Sequence, residues 1–241
     1  VVSGPAGAGK SEIVKTVLKK HPDIRTSVSC TTRAPRAGEV NGVNYHFVSD
    51  QRFDELVAQD AFYEWAHVHQ NRYGTLKQVV HDELDGGHDL ILEIDVQGCM
   101  NVLKQNPDAV GIFVCPPSRE NLEARLRHRG TETEESIRVR LNNVAGEVAT
   151  AYKYQYVIIH QDWKDVPNAL EIASDEVYSI ICAPHAEFAH AGSVDKRCAA
   201  GEREKLAACG GVSAAVVVSQ AAGSKKLFAE QTVYKRGFSN A

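Results

Sequence analysis

Short apolar runs alternate with amphipathic stretches along the first three quarters of the chain. The runs at 1–2, 90–94, 111–115 and 156–159 are brief and almost entirely apolar, which predicts buried β-strands. Between and after them, apolar residues recur at helical spacing over 11–20, 119–127 and 165–181. Strand followed by helix, repeated, predicts an α/β protein whose parallel sheet is flanked by helices.

Two segments depart from this pattern. Over 26–73, apolar Val43, Tyr45 and Phe47 alternate with polar residues, which predicts a small β-rich insertion. Beyond about 182 the composition shifts to Ala, Gly, Ser and Val with a surplus of basic residues, so we place a boundary near Ala183 and Pro184. This composition favours a flexible extension over 183–241, although 212–218 could pair as a strand.

Composition and charge narrow the class of protein. The chain has 241 residues, of which 43% are hydrophobic and 24% charged, as in a folded globular protein. Its net charge of -4 argues against nucleic acid as a partner, and no apolar run is long enough to span a membrane. Six cysteines without a C-x-x-C pair predict neither a zinc site nor disulfides, and favour the reducing cytoplasm. The chain opens directly on Val1 and Val2, which we interpret as the remnant of a longer first strand.

A phosphate-binding motif lies between the first apolar run and the first helical pattern. It matches G-x-x-x-x-G-K-[ST] and consists of Gly4, Pro5, Ala6, Gly7, Ala8, Gly9, Lys10 and Ser11. Glycines let successive backbone N–H groups converge on phosphate oxygens, and the following helix N-terminus favours an anion. Lys10 would reach the β- and γ-phosphates, and the Ser11 hydroxyl would bind Mg²⁺. The motif predicts a Mg²⁺-dependent protein that binds a nucleoside triphosphate.

Four further segments resemble guanylate kinases, which transfer a phosphoryl group from ATP to GMP. They are SVSCTTRAPRAGEVNGVNYHF at 27–47, FYEWAHVHQNRYG at 62–74, LILEIDVQG at 90–98, and 116–141, which includes RGTETEESIRVRL. The resemblance covers 1 to about 181 and implies a P-loop NTPase core, a β-rich GMP-binding insertion and a helical lid. It predicts a kinase domain over 1–182, with core at 1–25 and 76–182, GMP-binding region at 26–75 and lid at about 118–145. We expect ATP and GMP as substrates and a monomer or homodimer.

The resemblance also assigns residues to the acceptor nucleotide. Arg33 and Arg36 match the pair that holds the GMP phosphate, a role suited to planar, permanently charged guanidinium groups. Glu64 matches the residue that accepts from N1–H and N2–H of guanine, donors that adenine lacks on that edge. The other residues assigned to GMP are Ser29, Tyr45, Tyr73, Thr75 and Asp95. For Asp95 two roles stay open: contact with Mg²⁺ through water, or orientation of the acceptor.

Basic residues of the lid complete the predicted site. Arg125 and Arg129 lie four apart on a predicted helix and Arg140 follows on the next, and all three match the family's lid arginines. With Lys10, they are the predicted catalytic residues. Phosphoryl transfer between two anions depends on charge neutralisation and alignment, and an ionised acceptor phosphate needs no strong general base.

Several features depart from the family pattern or allow another interpretation. Glu12 stands where a small residue is usual, and His160 stands where Asn is usual near the adenine ring, which predicts altered affinity and selectivity for the donor nucleotide. His67 and His69 could form a metal pair, although no third ligand is evident. Two other functions stay open: a catalytically inactive guanylate-kinase-like interaction module, and a kinase for another monophosphate.

Overall fold

A computed structural model describes residues 1–68, 70–128, 130, 133–162 and 164–188. In chain order the strands are β1 (Val2–Ser3), β2 (Arg25–Thr26), β3 (Cys30–Thr31), β4 (His46–Phe47), β5 (Phe62–Val68), β6 (Asn71–Leu76), β7 (Leu90–Ile91), β8 (Ile112–Cys115) and β9 (Tyr156–Ile159). The α-helices are α1 (Lys10–Lys20), α2 (Asp50–Ala58), α3 (Lys77–Asp85), α4 (Val96–Gln105), α5 (Arg119–His128), α6 (Glu134–Val148) and α7 (Ala169–Phe188).

The core is a parallel sheet between helices, as the alternating pattern predicts. β1, β8 and β9 pair in parallel, and so do β2 and β7. A parallel bridge between Val2 and Glu93 joins the two groups of strands. All four residues of β8 are buried, which explains the uninterrupted apolar run. The carboxyl ends of these strands therefore converge at one edge of the sheet.

Helices α1 and α7 cover part of this sheet. Ile13, Val14 and Val17 form the buried face of α1 and share an apolar cluster with Ala173 and Val177 of α7. We predicted that α7 begins at residue 165, which is wrong, because its first residue is Ala169. Pro167 disfavours helical geometry at the preceding residue, and Asn168 is left-handed with φ 59°. The helix also continues to Phe188, past the boundary that we placed near 183.

The β-rich insertion forms a second sheet and contains a helix that the sequence pattern did not indicate. Its strand order is β4-β3-β6-β5, with β3 and β5 antiparallel to β6. Helix α2 packs Phe53 and Leu56 against Cys30 and Phe62 beneath this sheet. The alternation over 43–47 yields only the two-residue strand β4, since Val43 and Asn44 donate to the Val40 carbonyl in a tight turn.

Helices α5 and α6 pack on each other where the helical lid was predicted. Their shared apolar cluster consists of Leu122, Leu126, Ile137, Leu141 and Val144. Thr133 caps α6 by accepting from the Ser136 N–H, and two acidic residues follow in the first turn. The part of the chain that the structure describes holds no helix that is both long and apolar enough to cross a membrane.

Candidate active site

The phosphate-binding loop joins β1 to α1 at the carboxyl edge of the core sheet. Gly4 has φ 133°, and a side chain there would overlap the Val114 carbonyl of β8, so the backbone packs directly on the neighbouring strand. Gly9 caps α1 with φ 97°, a left-handed conformation that favours glycine. The loop thus places the N-terminus of α1 where anions bind.

Lys10 folds back across this loop. Its Nζ donates to the carbonyls of Gly4 and Pro5 at 2.7 and 3.0 Å. Burial lowers the pKa of Lys10, while the carboxylates of Glu93, Glu147 and Asp95 raise it. The net effect is a lowered pKa, because burial outweighs the three carboxylates around Lys10. Our sequence prediction did not include Glu93 or Glu147.

Ser11 makes a second contact at the carboxyl edge of the core sheet. Its hydroxyl donates to Glu93 Oε1 at 2.5 Å. Glu93 lies two residues before Asp95, and its place at the end of the apolar run 90–94 is the sequence signal that could have indicated it. The contact brings a hydroxyl and a carboxylate together, and both are oxygen ligands that Mg²⁺ prefers.

Two of the residues predicted to recognise guanine are in contact within the insertion sheet. Glu64 of β5 pairs in register with Thr75 of β6, and the Thr75 hydroxyl donates to Glu64 Oε1 at 2.8 Å. Ser29 lies nearby in the chain just before β3, and all three residues are buried. Burial raises the pKa of Glu64 to about 7, and the charge of Asp95 adds to this effect. The carboxyl group is thus near half ionisation at neutral pH.

Asp95 connects this buried pair to the phosphate-binding loop. It caps α4, and its carboxylate accepts from the N–H groups of Gln97 and Gly98 at 2.9 and 3.2 Å. Burial raises the pKa of Asp95, although these hydrogen bonds and the charge of Lys10 lower it. A Cβ at Gly98 would lie 2.5 Å from Glu64 Oε2 and 3.1 Å from Asp95 Oδ1, so both carboxyl groups flank this glycine.

The predicted phosphate ligands lie at the open end of the insertion. Arg33 donates to Glu39 Oε1 at 2.9 Å, and the Arg36 backbone N–H donates to Glu39 Oε2 at 2.7 Å. Burial alone would raise the pKa of Glu39, but these two contacts outweigh it and leave that pKa lowered. Glu39 is a further residue that the sequence prediction missed. Its carboxylate bridges the Arg33 side chain and the Arg36 backbone.

Aromatic rings line the same end of the insertion. The Arg33 guanidinium lies 5.5 Å from the ring centre of Tyr45, which meets Tyr73 edge-on at 5.9 Å. Burial raises the pKa of Tyr45 to about 12, so its phenol stays protonated and can donate a hydrogen bond. The structure therefore brings Arg33, Tyr45 and Tyr73 together, as the resemblance implied.

The structure places two of the predicted lid arginines near the loop. Arg125 of α5 donates to the carbonyls of Ala8, His160 and Gln161 at 3.3, 3.0 and 2.9 Å. Arg140 of α6 lies close enough to Lys10 for its charge to lower the pKa of that lysine. Arg129 lies outside the described residues.

The other residues singled out from the sequence have ordinary surroundings. Glu12 is exposed and pairs with Lys15 at 3.2 Å. Cys30, one of the six cysteines, is buried in β3, and burial raises the pKa of its thiol to about 11, which keeps it neutral. His69, which with His67 could form a metal pair, lies outside the described residues; within the ranges described, no cluster of potential metal ligands occurs.

Comparisons with known proteins agree with this geometry. The family model for guanylate kinase matches residues 1–176. The chain is 47% identical over 162 residues to the guanylate kinase of Caldanaerobacter subterraneus subsp. tengcongensis, an alignment that covers 67% of this chain and 79% of that relative. It is 46% identical over 171 residues to the guanylate kinase of Pseudoalteromonas translucida, covering 71% and 83% of the two chains.

A solved structure extends the likeness to three dimensions. The crystal structure of guanylate kinase from Anaplasma phagocytophilum superposes with a TM-score of 0.61 at 32% identity, covering 76% of this chain and 83% of that one. Fold and loop together define a P-loop nucleotide-binding protein of the α/β class. Within that class, the chain belongs to the guanylate kinase family.

Proposed function

We propose that this chain transfers the γ-phosphoryl group of ATP to the phosphate of GMP and releases ADP and GDP. The observation that carries the proposal is the buried Glu64–Thr75 pair beside Asp95, whose charge also acts on Lys10. A carboxylate buried against a hydroxyl suits a base that presents two adjacent N–H donors, as guanine does. Family membership supports the same reaction.

In this proposal the loop 4–11 binds the donor triphosphate. Backbone N–H groups at the start of α1 face the phosphates, and Lys10 exchanges its two carbonyl contacts for phosphate oxygens. Arg129 and Arg140 add positive charge from the lid. Arg125 of α5 adds a further positive charge. Its hydrogen bonds to three carbonyls also hold α5 against the donor site.

Mg²⁺ is the cofactor that the donor site fits. The Ser11 hydroxyl and the Glu93 carboxylate, 2.5 Å apart, are oxygen ligands and would hold the ion. Bound there, Mg²⁺ neutralises part of the negative charge on the donor phosphates. Asp95, engaged as a helix cap, is better placed to orient the acceptor than to reach the ion directly.

The acceptor is held at both ends. The guanine base of GMP is bound by Glu64, Thr75, Ser29 and Asp95. The phosphate of GMP is bound by Arg33, Arg36, Tyr45 and Tyr73. In the structure the Glu39 carboxylate accepts hydrogen bonds from both arginine residues. An incoming phosphate therefore competes with this carboxylate for their donors. A GMP phosphate oxygen then forms the new bond to the γ-phosphorus as the bond to the ADP oxygen breaks. The acceptor oxygen carries no proton, so no side chain must remove one.

The remaining expectations stay predictions of the same proposal. They are a cytoplasmic monomer or homodimer with no nucleic-acid or membrane partner, a GMP-binding region at 26–75, a helical lid at about 118–145, and an extension at 183–241 outside the kinase domain. An inactive interaction module is not favoured, because Lys10, Ser11 and Arg140 are all present near the loop.

ADP release tests the proposal when ATP and Mg²⁺ are supplied with GMP, AMP, CMP or UMP in turn. We expect turnover with GMP that exceeds the other acceptors by at least about tenfold, since only guanine presents the adjacent N1–H and N2–H donors to Glu64. Lys10→Ala should abolish it. Lys15→Ala, an exposed lysine of the same helix, is the matched control and should leave turnover unchanged. A folded protein inactive with every acceptor would support the interaction module instead.

A further inference from the structure

His160 connects the end of β9 to the phosphate-binding loop. Its backbone N–H donates to the Cys115 carbonyl at 2.8 Å, which continues the pairing of β9 with β8. Its ring lies against the loop, with Nδ1 2.9 Å from the Ala8 carbonyl oxygen. A Cβ at Gly9 would overlap this ring. The imidazole therefore fills the space that the glycine leaves beside the loop.

The contact with Ala8 fixes which ring nitrogen carries the proton. Nδ1 also lies 3.4 Å from Arg125 Nη1, which can only donate, but its contact with Ala8 is shorter by 0.5 Å. Because a carbonyl oxygen only accepts, the shorter contact assigns Nδ1 as the donor, and a neutral ring then leaves Nε2 without a proton. Burial lowers the pKa of His160, and the nearby Arg125 lowers it further, whereas Ala8 and Asp162 raise it. The net result favours a neutral imidazole with its proton on Nδ1.

The Ala8–Gly9 peptide receives a second donor from the same side. Arg125 donates to the Ala8 carbonyl at 3.3 Å and also holds the carbonyls of His160 and Gln161. No cis peptide bond occurs among the residues described, and in a planar trans peptide the C=O and N–H groups point in opposite directions. Holding the Ala8 carbonyl toward His160 therefore turns the Gly9 N–H to the opposite face of the loop.

We propose that His160 is a positioning residue for the donor triphosphate: it holds the Ala8 carbonyl so that the Gly9 N–H faces the bound phosphates. The proposal rests on the function proposed above, in which loop 4–11 binds ATP. The imidazole acts through the backbone of the loop and does not contact the reacting atoms. Loss of the Nδ1 donor should weaken ATP binding and leave GMP binding intact.

Steady-state kinetics of two variants test this role. His160→Phe keeps a ring beside Gly9 but removes the donor, so the KM for ATP should rise about fivefold, the effect of one hydrogen bond, while the KM for GMP stays within about twofold. His160→Asn places an amide N–H at the position of Nδ1 and should stay within about twofold of the unsubstituted chain. His81→Phe, an exposed histidine of α3, is the matched control and should change neither constant.

Two results would overturn the proposal: an unchanged KM for ATP in His160→Phe, or a rise in both KM values that His160→Asn does not relieve. Calorimetric titration with MgATP gives the same comparison without turnover. If the unsubstituted chain binds ATP but transfers no phosphoryl group, the function proposed above fails, and the Kd values for ATP still decide the role of His160.

The ring tautomer can be measured in the unsubstituted chain, whether or not the variants fold. Long-range ¹⁵N NMR distinguishes a protonated Nδ1 from a protonated Nε2, and comparison with His160→Asn or His160→Phe assigns the signal. If neither variant folds, labelling at histidine and proximity of the ring to Ala8 assign it. We expect a neutral ring with the proton on Nδ1 at pH 7. A proton on Nε2 alone, or a fully protonated ring, would contradict the proposal.

Discussion

Glu64 shows how a single position combines specificity with sensitivity to pH. Its carboxyl group is only 5% exposed, and its described hydrogen-bond partners lie on Thr75. Burial and the nearby Asp95 both disfavour the ionised form, and the pKa rises to about 7 from an ordinary value of 4.5. Guanine offers N–H donors, which need the ionised form. Binding of GMP should therefore require Glu64 to lose a proton.

We predict that the KM for GMP falls as the pH rises from 6 to 8. With a pKa of about 7, the ionised fraction of Glu64 falls roughly fivefold from pH 7 to pH 6, and the affinity for GMP falls with it. KM values for both substrates at pH 6, 7 and 8 would check this. In Glu64→Gln the GMP affinity should be about 10- to 100-fold lower, and this component of the pH dependence should be absent. An identical pH profile in the two proteins would show that another group titrates.

At this scale the sequence predicts side chains in motifs better than it predicts their partners. Ser11, Glu64 and Thr75 were identified from motif and resemblance, and the structure places Glu64 and Thr75 in contact. Glu93 and Glu39 were missed, because each acts through a contact that forms only in the folded chain. Glu93 accepts from Ser11, which lies in a different motif, and Glu39 accepts from Arg33 across a turn. Such pairings depend on the folded chain.

Among the elements, α4 illustrates a residue with two roles. Asp95 caps the helix with two hydrogen bonds and lies beside Glu64 at the acceptor site. The cap fixes the carboxylate at the strand end, where ligands of parallel sheets bind. Stability and activity therefore depend on the same side chain but on different properties of it: the cap needs an acceptor oxygen, whereas the acceptor site uses the charge.

Two substitutions of Asp95 should separate these roles. Asp95→Asn keeps a capping oxygen, so we expect its free energy of unfolding to stay within about 0.5 kcal/mol, with reduced turnover. Asp95→Ala loses the cap and should be less stable than Asp95→Asn by about 1 kcal/mol. Urea unfolding of both variants, together with their kcat, gives the comparison. Equal stability of the two variants would mean that the cap contributes nothing.

The first turn of α4 also limits what can replace Gly98. We predict that Gly98→Ala raises the KM for GMP severalfold and leaves the KM for ATP unchanged, because a Cβ there would displace the Glu64 carboxyl group. Gly146→Ala in α6 is the matched control, since a Cβ at that helical position meets nothing within 4 Å. It should stabilise the protein by up to about 1 kcal/mol without altering either KM. A normal KM for GMP in Gly98→Ala would contradict the packing.

Helices and strands were predicted with unequal success, for local reasons. The regular spacing in α1 and α5 predicts both helices to within a residue at each end. Helix α2 went unrecognised because its nine residues lie inside a segment whose other apolar residues alternate. The start of α7 depends on Pro167 and Asn168, whose effect on the backbone outweighs the apolar periodicity that begins at 165.

Over the whole molecule, two sheets and a helix pair meet around the phosphate-binding loop. The core sheet supplies the loop and Glu93, the insertion supplies the acceptor residues, and α5 packs against the loop through Arg125. Sequence alternation predicted this division into core and insertion. It could not predict how closely α5 lies against the loop, because that contact joins residues more than a hundred positions apart.

The part of the 183–241 extension that follows α7 should be dispensable for catalysis, as its composition predicts. A chain ending at Phe188 keeps the whole of α7, including Ala173 and Val177 on its buried face. We expect this shortened protein to keep kcat and both KM values within about twofold, and to unfold at the same temperature within a few degrees. Enzyme kinetics and thermal unfolding of the two chains would check this. A large loss of activity would assign the extension a part in the site.

The fate of the γ-phosphoryl group decides whether this chain phosphorylates GMP. ATP labelled in that group is mixed with Mg²⁺, GMP and the protein, and the products are separated. We expect the label to appear in GDP in step with ADP formation, and we expect Lys10→Ala to transfer none. Label found only in inorganic phosphate, or left in ATP by a folded protein, would contradict the proposed function.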